Sequence, residues 1–326
     1  MRVVCDARIA LAMNVAATIS LKAYKAEDAH AWNHVVRHSC NGNFLHVREY
    51  MDYHKERFED CSLILLRNEK PVGVFPASRD GVTVSSHAGL TYGGLIHTDD
   101  LGANDTLLAF ALIGEFYRNL GVQSVIYKAI PQVFHRLPSQ SDLYALTRSG
   151  ATLIRRDLST VVFLDEPIRF SKGRKWAINK ARKSAIEIRR SDDVDRFHEL
   201  LTHVLARFDA RPTHSCAELR LLFERFPEEI TLHVAEQGDQ LLAGAIVYDF
   251  GHIAHTQYLA NSDAGRNVGA LDLLLAELIV KYGQRKFFSF GISTEQQGLH
   301  LNTGLVSQKE AFGGRSIVHD FYEWVL

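Results

Sequence analysis

A glycine-bounded segment opens an apolar helix in the last quarter of the chain. Residues 265–269 read GRNVG, follow the strand-like run 252–260 almost directly, and lead into an apolar sequence from Ala270. The first N–H groups of a helix lack partners within it and lie at the positive end of its dipole, so they attract anions. Glycine permits close approach of the backbone, and Arg266 adds a charged contact. The segment predicts a phosphate site; the alternative is a tight loop with a surface arginine.

The strand before this segment carries groups that can exchange protons. Because side chains alternate along a strand, His255 and Gln257 share one face and Tyr258 lies on the other. His255 is a candidate general base, since the pKa of histidine lies near neutrality, and Tyr258 is a candidate acid. Asp249 and Glu295 are alternative bases. For each residue, the competing interpretation is an ordinary packed residue.

A basic run links the two halves of the chain. Residues 171–190 contain eight Lys or Arg and one acidic residue. Lys175, Trp176, Asn179 and Lys183 fall near one face of the predicted helix. We expect this face to contact an anionic acceptor in a cleft between domains, with Trp176 as a stacking surface. The alternative is a solvated helix that the tryptophan anchors.

Two further segments are candidates for acceptor binding. The run TYGGL, residues 91–95, offers Tyr92 and the small, flexible Gly93, which permits close backbone approach. A bulge or turn is an equally good interpretation. The other segment is 207–214, before the strands of the second half, where Arg211 and His214 are candidates by family resemblance alone.

The sequence argues against several other kinds of chemistry. The four cysteines are far apart and match neither zinc-site nor disulfide spacing, and the sixteen histidines include no H-E-x-x-H. There is no G-x-S-x-G nucleophile motif and no G-x-G-x-x-G dinucleotide motif. A net charge of −1 does not favour general nucleic-acid binding. We therefore predict no metal and no nucleophilic intermediate.

An internal repeat must position these residues. Each copy reads as three strands joined by polar turns, an amphipathic helix, and a last strand, with glycines at matching places. The strand–helix–strand part predicts a parallel βαβ unit behind an antiparallel meander. Helices are expected before each copy. The copies span residues 61–130 and 230–293, and the preceding helices are 26–39, 49–58, 191–208 and 216–226.

This order of elements resembles the GNAT acyltransferase fold, and its doubling resembles the FemAB-like branch. The resemblance covers roughly residues 20–326. Its local signals are the runs SHAGLTYGGLI (86–96) and RKWAINKARKSAIEI (174–188), and the ending FFSFGISTEQQGLHLNTGLVSQKEAFGG (287–314). FemAB-like chains often close with a similar Phe-x-Phe-Gly-x-Ser and Lys-x-x-Phe-Gly-Gly. The implied fold is α+β, with two tandem GNAT-like domains, each a mixed, mostly antiparallel sheet flanked by helices.

The resemblance implies how a cofactor would bind. GNAT domains hold the coenzyme A pyrophosphate at the start of this helix, with the pattern Arg/Gln-x-x-Gly-x-Gly/Ala. Arg266 and Gly269 match, but Leu271 replaces the last small residue. The flanking strands part and the pantetheine arm enters the gap, so the thioester would lie near His255, Gln257 or Tyr258. The implied cofactor-binding residues are Gly265, Arg266, Asn267, Gly269, Ala270, Gln257 and Ser293.

The resulting hypothesis is an acyl-CoA-dependent N-acyltransferase. By resemblance, the acceptor is the amine of a dTDP- or UDP-linked amino sugar used in surface polysaccharides. One alternative is FemAB-type transfer from aminoacyl-tRNA into peptidoglycan, although the long charged helical hairpin common in those enzymes is absent. The other is a catalytically inactive binding module, which the imperfect phosphate motif keeps open.

The predicted domains are an N-terminal extension (1–20), a degenerate GNAT-like domain (21–160) and a cofactor-binding domain (161–326). Residues 7–20 are mildly apolar, but Asp6 and Asn14 argue against a signal peptide. No run approaches the length of a membrane span. We expect a cytoplasmic protein.

Overall fold

The computed structural model describes residues 19–326, and it is a mixed α+β structure. The predicted N-terminal extension and signal-like run lie outside the described residues, apart from Ile19 and Ser20, which begin the first strand. The helices are α1 (Ala29–His38), α2 (Arg48–Met51), α3 (Ala103–Asn119), α4 (Ser141–Arg148), α5 (Lys172–Arg182), α6 (Val194–Ala206), α7 (Cys216–Arg225), α8 (Asp263–Val268), α9 (Ala270–Lys281) and α10 (Thr303–Glu310).

The strands alternate with these helices along the chain. They are β1 (Ile19–Ala23), β2 (Glu59–Asp60), β3 (Leu63–Arg67), β4 (Lys70–Phe75), β5 (Ser78–Asp80), β6 (Thr83–Ser85), β7 (Ile96–His97), β8 (Ser124–Lys128), β9 (Thr152–Phe163), β10 (Glu187–Ser191), β11 (Ile230–Gln237), β12 (Gln240–Asp249), β13 (Ile253–Asn261), β14 (Phe287–Ile292), β15 (Thr294–Glu295), β16 (His300–Leu301) and β17 (Arg315–Val325).

Most strands belong to one continuous sheet of eleven strands. Its order is β10-β11-β12-β13-β14-β9-β17-β8-β6-β5-β2, and its pairs are antiparallel except for β13 with β14 and β6 with β8. The predicted βαβ units are these two parallel pairs, joined by α9 and α3. The meander predicted for the second half is β11-β12-β13. In the first half the strands divide instead, because β4 pairs with β3 and β7 in a separate four-stranded sheet with β1.

The two halves exchange strands. β9 pairs with β14 of the second half, and the C-terminal strand β17 lies between β9 and β8 of the first half. The domain boundary predicted from the sequence lies between residues 160 and 161, inside β9. That boundary stays a prediction. Each half of the sheet thus includes a strand that comes from the other half of the chain.

Three apolar cores fill the spaces around the sheets. The first, which we call the shared core, joins residues of both halves, including Tyr92, Phe134 and Ile253. The second lies on the opposite face of the second half, beneath α9 and α5, and the third lies within the first half beneath α3. Since Ile253 belongs to the shared core and its neighbour Ala254 to the second, strand alternation puts these two cores on opposite faces of β13.

The strand exchange gives a testable consequence for stability. Trp324 of β17 is 4% exposed and its ring lies 5.6 Å from that of Phe110 in the core of the first half. We expect Trp324→Ala to lower the free energy of unfolding by about 3–5 kcal/mol, the usual cost of truncating a buried tryptophan. Urea unfolding measures the change.

The matched control is Val325→Ala on the same strand, because Val325 is 69% exposed. It should change stability by less than about 0.5 kcal/mol. Equal effects of the two substitutions would mean that β17 does not hold the core of the first half together.

Candidate active site

β13 and β14 part shortly after they meet. Their parallel pairing covers only the partners Ile253–Phe287, Ala254–Phe288 and His255–Ser289. Beyond that point β13 continues beside β12 to Asn261, and β14 continues beside β9 to Ile292. The strands leave a gap in which main-chain groups can pair with an extended ligand. We call the point where pairing ends the apex of the gap.

A bulge re-aims β13 beside the gap. Ile246 of β12 pairs with Tyr258, but the next residue, Val247, pairs with Thr256, so Gln257 is an extra residue without a partner in the ladder. Gln257 was predicted to contact the cofactor, and it lies on the part of β13 that borders the gap.

The extra residue shifts the alternation of side chains, so Tyr258 packs against the shared core, as Ile253 does, while Leu259 packs against the second core. The His255 ring also contacts Phe134 of the shared core, so the prediction that Tyr258 lies on the opposite face from His255 is wrong.

Lys309 of α10 lies at the apex. Its Nζ donates to the carbonyl oxygens of Gly291, at 2.9 Å, and Ile292, at 2.6 Å, and the residue is only 5% exposed. Gly291 has a φ of +75°, a conformation that favours glycine, and this turn presents the carbonyls to the lysine. Burial lowers the pKa of Lys309 to about 7. The protonated amine has three donors and these carbonyls use two, so in the protonated form the third is available to a ligand.

His255 lies on the shared-core side of the apex. Its Nδ1 is 3.0 Å from the Ser289 hydroxyl, and its ring centroid is 5.9 Å from that of Phe134. Burial lowers the pKa of His255 to about 3, helped by His319 and Lys309. The imidazole is therefore uncharged at neutral pH, and it is a weaker base than a free histidine.

Several hydroxyl groups near the apex have no hydrogen-bond partner within residues 19–326. Ser159 and Thr160 of β9 pair through their backbones with Ile292 and Gly291, and the side-chain oxygens of both are buried without a partner. Ser293, a predicted cofactor residue, is also buried with a free hydroxyl, while its N–H donates to Leu158 at 2.7 Å. Buried polar atoms are normally satisfied, so these hydroxyls indicate a place for water or ligand.

Tyr258 forms a pair with His214. The Tyr258 hydroxyl is 2.6 Å from His214 Nδ1, and it accepts the backbone N–H of His214 at 3.3 Å. Burial raises the pKa of Tyr258 and lowers that of His214 to about 4, so both are uncharged at neutral pH. His214 and the predicted acceptor residue Arg211 line a pocket of about 560 Å³ that also reaches Arg57 of the first half.

The two alternative bases are placed differently. Asp249 accepts hydrogen bonds from the Arg285 guanidinium, at 2.7 Å and 3.0 Å, and from the Gly251 N–H at 2.9 Å. This ion pair holds the turn between β12 and β13, at the end of β13 away from the gap. Glu295 is exposed on β15, just beyond β14, where it accepts a hydrogen bond from Asn302 at 2.8 Å.

The predicted phosphate loop is itself partly helical. Residues 263–268 form α8, and Gly269, with a φ of +79°, ends α8 and begins α9. Arg266 therefore lies in the last turn of α8, where it donates to Asn261 O at 2.9 Å and pairs with the Asp263 carboxylate. Gly265 is buried, and a Cβ there would lie 2.3 Å from Leu242 O.

The start of α9 lies beneath α5. Gly269 and Ala270 are buried, and a Cβ on Gly269 would lie 3.1 Å from Ala177 O. Arg174 of α5 forms an ion pair with Asp272 in the first turn of α9. Asn267 is exposed, and its carbonyl accepts the Lys180 ammonium at 2.9 Å.

The basic helix does not line a cleft between the halves. Its apolar residues Ile178 and Ala181 pack with α9 in the second core, on the face of the sheet away from the shared core. The expectation of a cleft position is therefore wrong, because the apolar side of α5 needs the α9 surface for burial. The remaining predicted residues of this helix, Lys175, Trp176, Asn179 and Lys183, are exposed.

The TYGGL residues are interior. Tyr92 packs against Phe134, with ring centroids 4.8 Å apart, and accepts a hydrogen bond from Asn43 at 3.0 Å. A Cβ on Gly93 would lie 2.2 Å from Ser86 O, so the close backbone approach is to the protein's own chain. Tyr92 is thus on the opposite face from Trp176, and the two cannot border one pocket.

Lys309 is the candidate site residue that the sequence patterns did not single out. It appeared only within the family-like Lys-x-x-Phe-Gly-Gly segment. The available signal was the segment KEAFGG, residues 309–314, in which a lysine precedes an aromatic residue and two glycines. Nothing local shows that its amine reaches two carbonyls on β14, seventeen and eighteen residues earlier.

Comparisons with known proteins support the fold. Residues 171–296 match the family model described as "Acetyltransferase (GNAT) domain", which covers the gap, α8 and α9. No curated protein matches the chain. The fold is α+β with tandem GNAT-like units, as expected from the sequence.

Three solved structures are similar over nearly the whole chain. FemX has a TM-score of 0.66 at 12% identity, over 94% of this chain and 97% of that one. The C-terminal domain of a putative lysylphosphatidylglycerol synthetase from Agrobacterium fabrum has 0.62 at 12% identity, over 92% of each chain. A tandem GNAT protein from the clavulanic acid biosynthesis pathway has 0.54 at 9% identity, over 94% and 98%. At these identities the similarity concerns the fold.

Residues 19–326 contain neither a candidate metal-binding cluster nor a helix that could span a membrane. No group of three or more His, Cys, Asp or Glu there could hold a metal ion. No helix in the same range is long and apolar enough to cross a membrane.

The burial of Lys309 predicts a pH-dependent stability. Its pKa is 10.5 for an ordinary lysine and about 7 in the folded protein, so between these values the unfolded chain holds a proton that the folded chain has lost. Stability therefore rises with pH in this window, and it is lost as pH falls through 7. We expect the stability of wild type relative to Lys309→Met to increase by up to about 1.4 kcal/mol per pH unit.

Urea unfolding at pH 6, 7, 8 and 9 tests this expectation. Lys281→Met is the control, because Lys281 is exposed on α9. The difference in unfolding free energy between wild type and this variant should be the same at each pH. A constant difference between wild type and Lys309→Met across this range would contradict the burial of the amine.

Proposed function

We propose that the protein is an N-acyltransferase and that transfer takes place in the gap between β13 and β14. One observation carries the proposal: the parallel pairing stops after three partners, and the buried Lys309 amine lies where it stops. An extended acyl arm can complete the strand edges, and the carbonyl to be attacked then lies beside a donor. The match of residues 171–296 to an acetyltransferase domain supports this assignment.

Direct transfer from a thioester to an amine requires no covalent bond between substrate and protein. The acceptor amine attacks the thioester carbonyl, a C–N bond forms, the C–S bond breaks, and the thiolate leaves. We assign the free donor of Lys309 to the carbonyl oxygen, whose negative charge develops during attack. Tyr258, protonated and bonded to His214, can supply a proton to the thiolate. The low pKa of His255 favours a hydrogen-bonding role, with the amine's proton passing to water.

Acyl-CoA is the donor we propose. Its pantetheine arm fits the gap as an added strand, and its phosphates would meet the junction of α8 and α9. Arg266 and Lys180, whose ammonium donates to Asn267 O at 2.9 Å, bring positive charge to that junction. Ser293 and Gln257 border the arm.

The acceptor we propose is an amine with an anionic part, and a dTDP- or UDP-linked amino sugar is the first class to test. The pocket formed by Arg57, Arg211 and His214 supports this choice. Arg57 is balanced by Glu218, whereas Arg211 is exposed and forms no ion pair in residues 19–326. A diphosphate at Arg211 would leave the sugar amine beside Tyr258.

Release of free thiol tests the function. Purified protein with acetyl-CoA and a panel of dTDP- and UDP-linked amino sugars should release thiol in step with the loss of free amine. Lys309→Met should lower kcat at least 100-fold, in line with the loss of an oxyanion donor, and leave KM for acetyl-CoA nearly unchanged. Lys281→Met should behave like wild type. No thiol release across the panel would sink the proposal.

A second candidate uses aminoacyl-tRNA as the donor. It is favoured by the burial of Gly269 and Ala270 under α5, since a pyrophosphate could reach those N–H groups only if α5 moved. Transfer from an aminoacyl ester would use the gap and Lys309, but it would not use a phosphate site at the start of α9. A third outcome is a binding module that takes up CoA without turnover.

Arg266→Glu distinguishes these donors. If phosphates bind at the junction of α8 and α9, reversing this charge should weaken CoA binding about tenfold or more, measured by calorimetry at low salt. The exposed Lys70 of the first half provides the charge-matched control, Lys70→Glu. Unchanged CoA affinity would remove the phosphate assignment, and tRNA binding at physiological salt would then favour the second candidate.

A further inference from the structure

A second pocket lies between the two halves, away from the gap. It has a volume of about 540 Å³, within the usual range of small-molecule sites. The first half contributes the connection from β8 to α4, and the second half contributes the start of β14 and the middle of β17. We call it the inter-half pocket. Residues that line it include Ile130, Val133, His135, Arg136, Lys286 and Val318.

The charge of the inter-half pocket is positive. Arg136 and Lys286 both line it, both are exposed, and neither has a carboxylate partner at ion-pair distance within residues 19–326. Asp320 also lines it, but its carboxylate accepts two hydrogen bonds from Arg156, at 2.7 Å and 2.8 Å. The acid is compensated and the two cations are not, so the pocket attracts an anion.

His135 supplies a specific acceptor in the wall of this pocket. It is 7% exposed, and its Nε2 lies 2.9 Å from the carbonyl oxygen of Ile130. A carbonyl only accepts, so Nε2 must carry the hydrogen. Burial lowers the pKa of His135 to about 4, so the ring holds a single proton at neutral pH. Nδ1 is therefore a bare acceptor, and it is buried without a partner in the described chain.

The inter-half pocket is separate from the acyl-transfer gap. Phe134, between the lining residues Val133 and His135, is buried, and its ring centroid lies 5.9 Å from that of His255 and 6.1 Å from that of His319. The phenyl ring stands between the two sites. Binding in the inter-half pocket therefore requires neither the gap nor the proposed acyl transfer.

We propose that the inter-half pocket is a binding site for an amphipathic organic anion. Its ligand has an aromatic or branched aliphatic body, one acid group and one N–H or O–H donor. The body packs on the apolar side chains, the acid group pairs with Arg136 and Lys286, and the donor bonds His135 Nδ1. Since the lining residues come from both halves, the ligand stabilises the halves against each other.

The dye 1-anilinonaphthalene-8-sulfonate has all three features, and its fluorescence rises in an apolar site. Titrated into the folded protein at low salt, it should show saturable binding at one site per chain. The double variant Arg136→Glu/Lys286→Glu should weaken binding at least tenfold. Lys70→Glu/Lys281→Glu, which reverses two exposed lysines elsewhere, should bind like wild type. N-phenyl-1-naphthylamine lacks the sulfonate, and its binding should be insensitive to the charge reversal.

A blocking variant makes the test independent of charge. Val318 is 39% exposed and lines the pocket, so Val318→Trp should fill it and abolish saturable binding. Near-ultraviolet circular dichroism and the melting temperature establish that each variant is folded. Absence of saturable binding to wild type would overturn the proposal. So would equal binding to wild type, the charge-reversed double variant and Val318→Trp, because the dye would then occupy another site.

Discussion

The antiparallel ladder between β9 and β17 is the interaction on which the rest of the structure depends. It joins nine residue pairs, from Arg315–Val161 to Glu323–Thr152, and it connects a strand of the first half to the end of the chain. β8 completes one side of this ladder and β14 the other. Without it the eleven-stranded sheet would divide, and β14 would lose the support of the strand beside it.

The two halves use the same βαβ geometry in different ways. In each, a parallel pair ends after three partners. In the first half the chain itself enters the space between the strands: Ser86 N–H donates to Ile126 O at 2.9 Å, and Gly93 N–H donates to Lys128 O at 2.9 Å. In the second half no such segment follows β13, because the chain turns directly into α8. The space between the strands is thus filled by the chain in the first half, and we propose that a ligand fills it in the second.

Much of the architecture could be predicted from the sequence because it is encoded locally. Apolar periodicity gave α3, α6, α7 and α9 within a few residues, and turn residues gave the meander and both βαβ units. The predicted helix from 174 to 188 ends at Arg182, since Ala185 has a φ of +50° and β10 begins at Glu187. The division of the first half into two sheets was not predictable, because it depends on which distant strand each edge meets.

The features of the candidate site also separate into those encoded locally and those set by long-range contacts. The sequence by itself determined the tandem βαβ design, the strand that carries His255 and Tyr258, and a basic helix in the connection, because periodicity and turn chemistry are properties of neighbouring residues. Only the tertiary structure decided that Lys309 reaches the apex, that α5 covers the start of α9, and that Tyr92 is interior. These facts depend on burial and on contacts between residues far apart in the chain. Such contacts exist only when the whole chain packs, and burial then sets which amines, hydroxyls and imidazoles can do chemistry.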